Sequence, residues 1–67
     1  MSKGTVKRIM RGRGFGFILA EDGREIFFHR SALVGIDIKQ LSEGQRVDFE
    51  VERGPKGPRA AKVRMAD

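Results

Sequence analysis

Two short runs carry the side chains best suited to chemistry in this chain: Arg13-Gly14-Phe15-Gly16-Phe17-Ile18 and Ile26-Phe27-Phe28-His29. In a strand, side chains alternate between faces, so Phe15 and Phe17 share one face and Ile18 takes the other. By the same parity Phe27 and His29 share a face opposite Ile26 and Phe28. Three rings and an imidazole on the solvated face of two neighbouring strands make an exposed apolar patch, which calls for a partner. A flat ring stacks on a flat π-system, and each base stacked on an aromatic side chain is worth about 1–3 kcal/mol in single-strand binders. Gly14 and Gly16, lacking Cβ, are expected to let a sugar or base lie close to the backbone beside each ring. The other reading puts Phe15 and Phe17 in the core, which would bury both faces of two adjacent strands in a domain too small for two layers.

The charges fit the same chemistry. Fourteen Lys and Arg against nine Asp and Glu give a net charge of +5 and a pI near 10.5, the footprint of a polyanion binder. Residues 1–20 hold Lys3, Lys7, Arg8, Arg11 and Arg13 and no acid, while the nine basic and nine acidic side chains of residues 21–67 cancel. Charges serving only solubility would be interspersed. Cations around the rings attract phosphate and release its counterions, and Arg can also stack its guanidinium on a base. A duplex hides its base faces, so rings with cations select single strands.

Five strand-length runs must position these residues. They are Thr5–Met10, Phe15–Leu19, Glu25–His29, Arg46–Glu52 and Arg59–Met65, separated by turn residues such as Glu21-Asp22-Gly23. Ser31-Ala32-Leu33 suits one helical turn, and a long loop follows from Val34 to Gln45. With no long amphipathic helix, the expected fold is all-β, a small five-stranded antiparallel barrel whose closure removes sticky edges. Val6, Ile18, Ile26, Phe28, Leu33, Val47, Phe49, Val51 and Val63 make its core. Asp48, Glu50 and Glu52 meet water and would repel nucleic acid from the back of the barrel. Alternation in the first strand pairs Lys7 with Ile9 and Arg8 with Met10, so Arg8 cannot be placed without a bulge.

The remaining candidates are weaker. His29 is the lone histidine, with no second ligand or nucleophile clustered beside it in sequence, so stacking or hydrogen bonding to a base outranks catalysis and metal binding. Ser31 reads as part of a capped turn. Gly54-Pro55-Lys56-Gly57-Pro58 is either a stiff hairpin loop or a platform from which Lys56 and Arg59 reach phosphate. No cysteine is present, which excludes disulfides and thiolate metal sites and fits a reducing compartment. The N-terminus has no apolar run of the roughly 7–15 residues a secretory signal needs. The expectation is one soluble, cytoplasmic, monomeric domain over residues 1–67, without cofactor, metal, membrane partner or enzymatic activity.

The two aromatic runs also carry a resemblance. Arg13 to Ile18 resembles the first ribonucleoprotein motif, Lys/Arg-Gly-Phe/Tyr-Gly/Ala-Phe-Val. Ile26-Phe27-Phe28-His29-Arg30-Ser31-Ala32-Leu33 resembles the second as it occurs in bacterial cold-shock proteins, Val-Phe-Val-His-Phe-Ser-Ala-Ile. Gly4-Thr5-Val6-Lys7 precedes them, and Leu41-Ser42-Glu43-Gly44-Gln45 and Gly57-Pro58-Arg59-Ala60-Ala61 follow, so the likeness runs nearly the whole chain. It implies an oligonucleotide-binding (OB) barrel that binds single-stranded RNA and DNA with little sequence selectivity. It further implies RNA chaperoning and regulation of transcription or translation. By position, the binding residues would be Lys7, Arg8, Arg13, Phe15, Phe17, Phe27, His29, Arg30, Ile38 and Lys56. The family usually has Trp at position 8 and Phe at positions 9, 30 and 38, where this chain has Arg8, Ile9, Arg30 and Ile38. Binding should therefore lean on phosphate contacts and be unusually salt-sensitive. Competing readings are an accessory factor docking on the ribosome or on folded RNA, and a small nuclease, for which the acid–His–metal constellation is missing.

Overall fold

The computed structural model describes residues 2–55 and 57–66. Its strands are β1 (Ser2–Met10), β2 (Phe15–Ala20), β3 (Glu25–His29), β4 (Arg46–Gly54) and β5 (Gly57–Met65), with single 3-10 turns at Arg30–Ala32 and Ile38–Gln40. They close into a barrel in the order β1-β2-β3-β5-β4. β3 and β5 run parallel, meeting at Phe27 and Arg59, and every other neighbouring pair is antiparallel. The expected wholly antiparallel barrel is thereby corrected, and the reason is arithmetic. A closed ring with an odd number of strands cannot alternate direction all the way round. No helix among the described residues is long and apolar enough to cross a membrane.

The barrel fills as alternation requires. Val6, Ile18, Ile26, Phe28, Val47, Phe49 and Val63 are almost fully enclosed. Two core residues come from the long loop instead: Leu41 is fully buried and Ile38 nearly so. Leu33 only packs against the cluster from its edge. Val51, expected inside, is 37% exposed. It lies with Arg24, Arg53 and Pro58 around a cleft by the β4–β5 hairpin. The loop is fastened locally. Asp37 caps the second 3-10 turn in a reciprocal capping box with Gln40, and Arg11 Nη2 donates to the Leu41 carbonyl at 2.6 Å.

Local chemistry sets the turns. Between β2 and β3, Gly23 adopts φ 92°, and Asp22 accepts from the Arg24 amide and guanidinium. The Arg24 backbone N–H, helped by its side chain, holds the Asp22 carboxyl below the usual carboxylate range. In β5, Lys62 has φ 51°, a left-handed conformation that costs an L-residue roughly 1–2 kcal/mol. It falls where the β4–β5 register shifts between Asp48 and Glu50. Gly carries no such penalty but loses more chain entropy. Lys62→Gly should therefore raise stability slightly, by up to about 1 kcal/mol, read as a higher urea midpoint at unchanged slope. An unchanged or lower midpoint would show that the Lys62 side chain contributes more than the strain costs.

Candidate nucleic-acid interface

Cross-strand registry builds the ring patch. Phe17 sits opposite Phe27, and Phe15 opposite His29. The ring centroids of Phe15 and Phe27 are 5.5 Å apart, those of Phe17 and Phe27 6.0 Å, and those of Phe15 and Phe17 6.3 Å. Each ring thus meets the other two at tilted or edge-on angles, as the aromatic quadrupole favours. All three are half-buried while Gly16, Ile18, Ile26 and Phe28 of alternate parity are buried. The faces are as parity requires.

A bulge in β1 settles Arg8. The β1–β2 register shifts between Val6 and Arg8, so Lys7 is the extra residue. Val6 and Ile9 can then both point inward, and Arg8 lies opposite Phe17 and Met10 opposite Phe15. Lys7 and Arg8 border one cleft with Phe17, Glu25 and Glu43. Lys7 Nζ is 2.9 Å from Glu25 Oε2, with both side chains about half exposed. Such surface pairs are worth at most about 1 kcal/mol, so a phosphate can take Lys7 from Glu25. Arg13 is exposed on the turn that leads into Phe15, where its amide bonds the Met10 carbonyl. Arg30 extends the patch at the other strand, its amide donating to Gly14 O at 2.8 Å.

Three expectations change. The glycines face the protein, not a ligand. A Cβ on Gly16 would strike the Arg8 carbonyl oxygen and approach the Phe28 ring at 2.9 Å, while Gly14 has φ 74° and lies under the Arg30 side chain. Ile38 is not brought to the ring face: only 7% exposed, it is an aliphatic side chain that fills the barrel end, with little surface left for a base. Of the β4 acids, Glu52 does not lie behind the barrel. Because β5 separates β4 from β3, Glu52 shares a groove with Phe27 and His29. Arg59 and Lys62 lie 3.6 and 3.8 Å from Glu52 and Glu50 and offset them. Asp48, also expected in water, is half-buried with Oδ1 enclosed and lacking a partner among the described residues; nothing in the structure explains this.

His29 is exposed, and its Nδ1 accepts from the Ser31 amide at 3.1 Å, capping the first 3-10 turn. That leaves Nε2 for a ligand. Among the described residues no three His, Cys, Asp or Glu side chains converge as a metal site would need. Lys56 lies outside the described residues. Arg59, left undecided by the sequence, lines a cleft with Phe27, Pro55 and Pro58. Its place beside Phe27 follows from the parallel β3–β5 contact, for which no local pattern exists.

The family model of the 'Cold-shock' DNA-binding domain matches residues 2–66. The chain belongs to the cold-shock domain family. It is 47% identical to cold shock protein CspC of Bacillus subtilis over 66 residues, covering 98% of this chain and all of the relative. It is 52% identical to cold shock-like protein CspE of Escherichia coli K12 over 62 residues, 91% of this chain and 90% of that one. Its fold matches the solved structure of drosophila Unr CSD456 at a TM-score of 0.81 and 21% identity, spanning 98% of this chain and 26% of that one. This cold-shock domain binds nucleic acid, as its family does, on an OB-type barrel. Its patch has three Phe rings and the His29 imidazole, with Arg8 and Arg30 at the flanking positions.

Proposed function

We propose that this cold-shock domain binds single-stranded RNA and DNA by stacking bases on Phe15, Phe17 and Phe27. In this reading Lys7, Arg8, Arg13, Arg30 and Lys56 hold the phosphates and His29 bonds a base edge through Nε2. The protein then acts as an RNA chaperone, holding strands unpaired, and so as a regulator of transcription and translation in the cytoplasm. One observation carries the reading: three half-buried rings within 6.3 Å of one another on one face, a surface that suits the faces of unpaired bases. A single copy holds the complete patch, which supports a monomer, and no catalytic step is assigned.

The chain has no Trp and no Tyr, so a fluorescently labelled oligonucleotide is the reporter. It should bind far more tightly single-stranded than annealed; comparable binding to both forms would favour docking on folded RNA instead. Labelled RNA incubated with divalent metal should stay intact, and turnover would reveal a nuclease.

The cations make a separate prediction. Each phosphate contact to a single strand adds about −0.7 to the slope of log K against log salt. Arg8→Gln should make that slope shallower by about 0.7, with folding unaltered because Arg8 is exposed. An unchanged slope would mean that Arg8 stacks on a base without meeting phosphate.

A further inference from the structure

Beside the ring patch lies a second groove of different composition. Its walls include Arg11 and Arg30 on one side and Asp37, Lys39 and Gln40 of the long loop on the other, with Ile38 at its base. It adjoins the rings directly, because Arg30 follows His29 and its amide bonds the carbonyl of Gly14, the residue before Phe15. Three cations face one carboxylate there, and an oxygen of Asp37 is already engaged by the Lys39 amide at 3.1 Å. The Arg11–Leu41 bond ties the two walls together. No aromatic side chain lines it.

Two stacking terms decide what such a groove can hold. Opening a DNA duplex forfeits about 0.6–2.2 kcal/mol of stacking per base-pair step. Over the rings this is offset by about 1–3 kcal/mol per base. Over the groove no aromatic ring offsets it, and a guanidinium of Arg11 or Arg30 that is engaged by phosphate does not stack on a base, while the cations still attract phosphates. A strand should thus unstack across Phe15, Phe17 and Phe27 and remain helical where it meets Arg11, Arg30 and Lys39. A duplex also presents one charge per ~1.7 Å of axis, twice the density of either strand, so its end satisfies the groove better than an unpaired extension.

We propose that this protein recognises junctions between single and double strands, the unpaired bases on the rings and the phosphates of the duplex end in the Arg11–Arg30–Lys39 groove. The proposal rests on the single-strand reading above and adds a contiguous surface to it, with Arg30 common to both. Lys39 is exposed on its 3-10 turn and makes no side-chain ion pair among the described residues.

The test compares five labelled substrates: a short single strand, that strand joined to a duplex at its 5′ end, the same joined at its 3′ end, the strand lengthened by unpaired nucleotides, and the duplex alone. One joined form should bind about threefold to tenfold more tightly than the short strand and than the unpaired extension, the scale of one or two phosphate contacts. Lys39→Glu should abolish that gain and Lys39→Gln reduce it, both leaving affinity for the short strand unchanged. Equal binding of the joined and unpaired-extended forms, or a gain that survives Lys39→Glu, would overturn the proposal. Failure of the underlying reading looks different: the short strand would bind no better than the duplex alone.

Discussion

Replacing Phe27 with Ala should weaken binding of a short single-stranded oligonucleotide by about 1–3 kcal/mol, roughly 5-fold to 150-fold in Kd at constant salt. Phe15→Ala and Phe17→Ala should each lose an amount in the same range. Phe27 comes first because it makes the two shorter ring contacts, at 5.5 and 6.0 Å, against 6.3 Å between Phe15 and Phe17. Removing it takes away one platform and lets the remaining two shift from their edge-on packing. The double variant Phe15→Ala/Phe27→Ala should therefore lose a different amount from the sum of the singles, since residues in contact do not add. Folding should change little in comparison, because the ring faces water on one side and the core beneath is made by Ile26 and Phe28. Titration of a labelled oligonucleotide gives the affinities, and a denaturant midpoint for each variant separates lost binding from lost fold. If none of the three variants weakens binding, the rings are not the platform.

Much of this interface was legible because it depends on period two. The parity of Phe15, Phe17 and Phe27 against Ile18, Ile26 and Phe28 follows from adjacent residues alone, and the structure keeps those faces. Where placement depends on contacts distant in sequence, the reading failed. Arg59 beside Phe27 and Glu52 at the edge of the patch require knowing that β5 inserts between β3 and β4. The ends of the barrel were misjudged for a related reason. Val51 continues the alternation of its strand yet runs past the core, while Leu41 and Ile38 come from a loop with no periodicity and join the core instead. A signal for part of that loop did exist. Asp37-Ile38-Lys39-Gln40 has the spacing of a capping box, a helix-start pattern that the structure realises in full. The bulge at Lys7 is intermediate: conflicting parity in β1 exposed the problem, and only registry with β2 resolved it.

Gly16 shows how a residue can sit inside a binding motif for a reason unrelated to binding. Gly16→Ala should destabilise the fold by about 1–3 kcal/mol, the usual cost of forcing an extra carbon into a packed site. The added Cβ meets the Arg8 carbonyl oxygen, which is backbone and held at the bulge, and Phe28 ring atoms at 2.9 Å. Neither can retreat easily, since Phe28 is itself fully buried. In a domain of this size the core rarely supplies more than about 3–5 kcal/mol, so the change would consume much of the stability and lower the denaturant midpoint sharply. Gly12→Ala is the matched control: its Cβ would meet nothing within 4 Å, and a loop Gly→Ala change of this kind is neutral or mildly stabilising. Affinity decides between the two roles of Gly16. If the glycine allows β1, β2 and β3 to approach, the fraction of Gly16→Ala that folds at low temperature will bind an oligonucleotide nearly as well as the parent. If the glycine instead makes room for a sugar or base, stability will hold and affinity will fall.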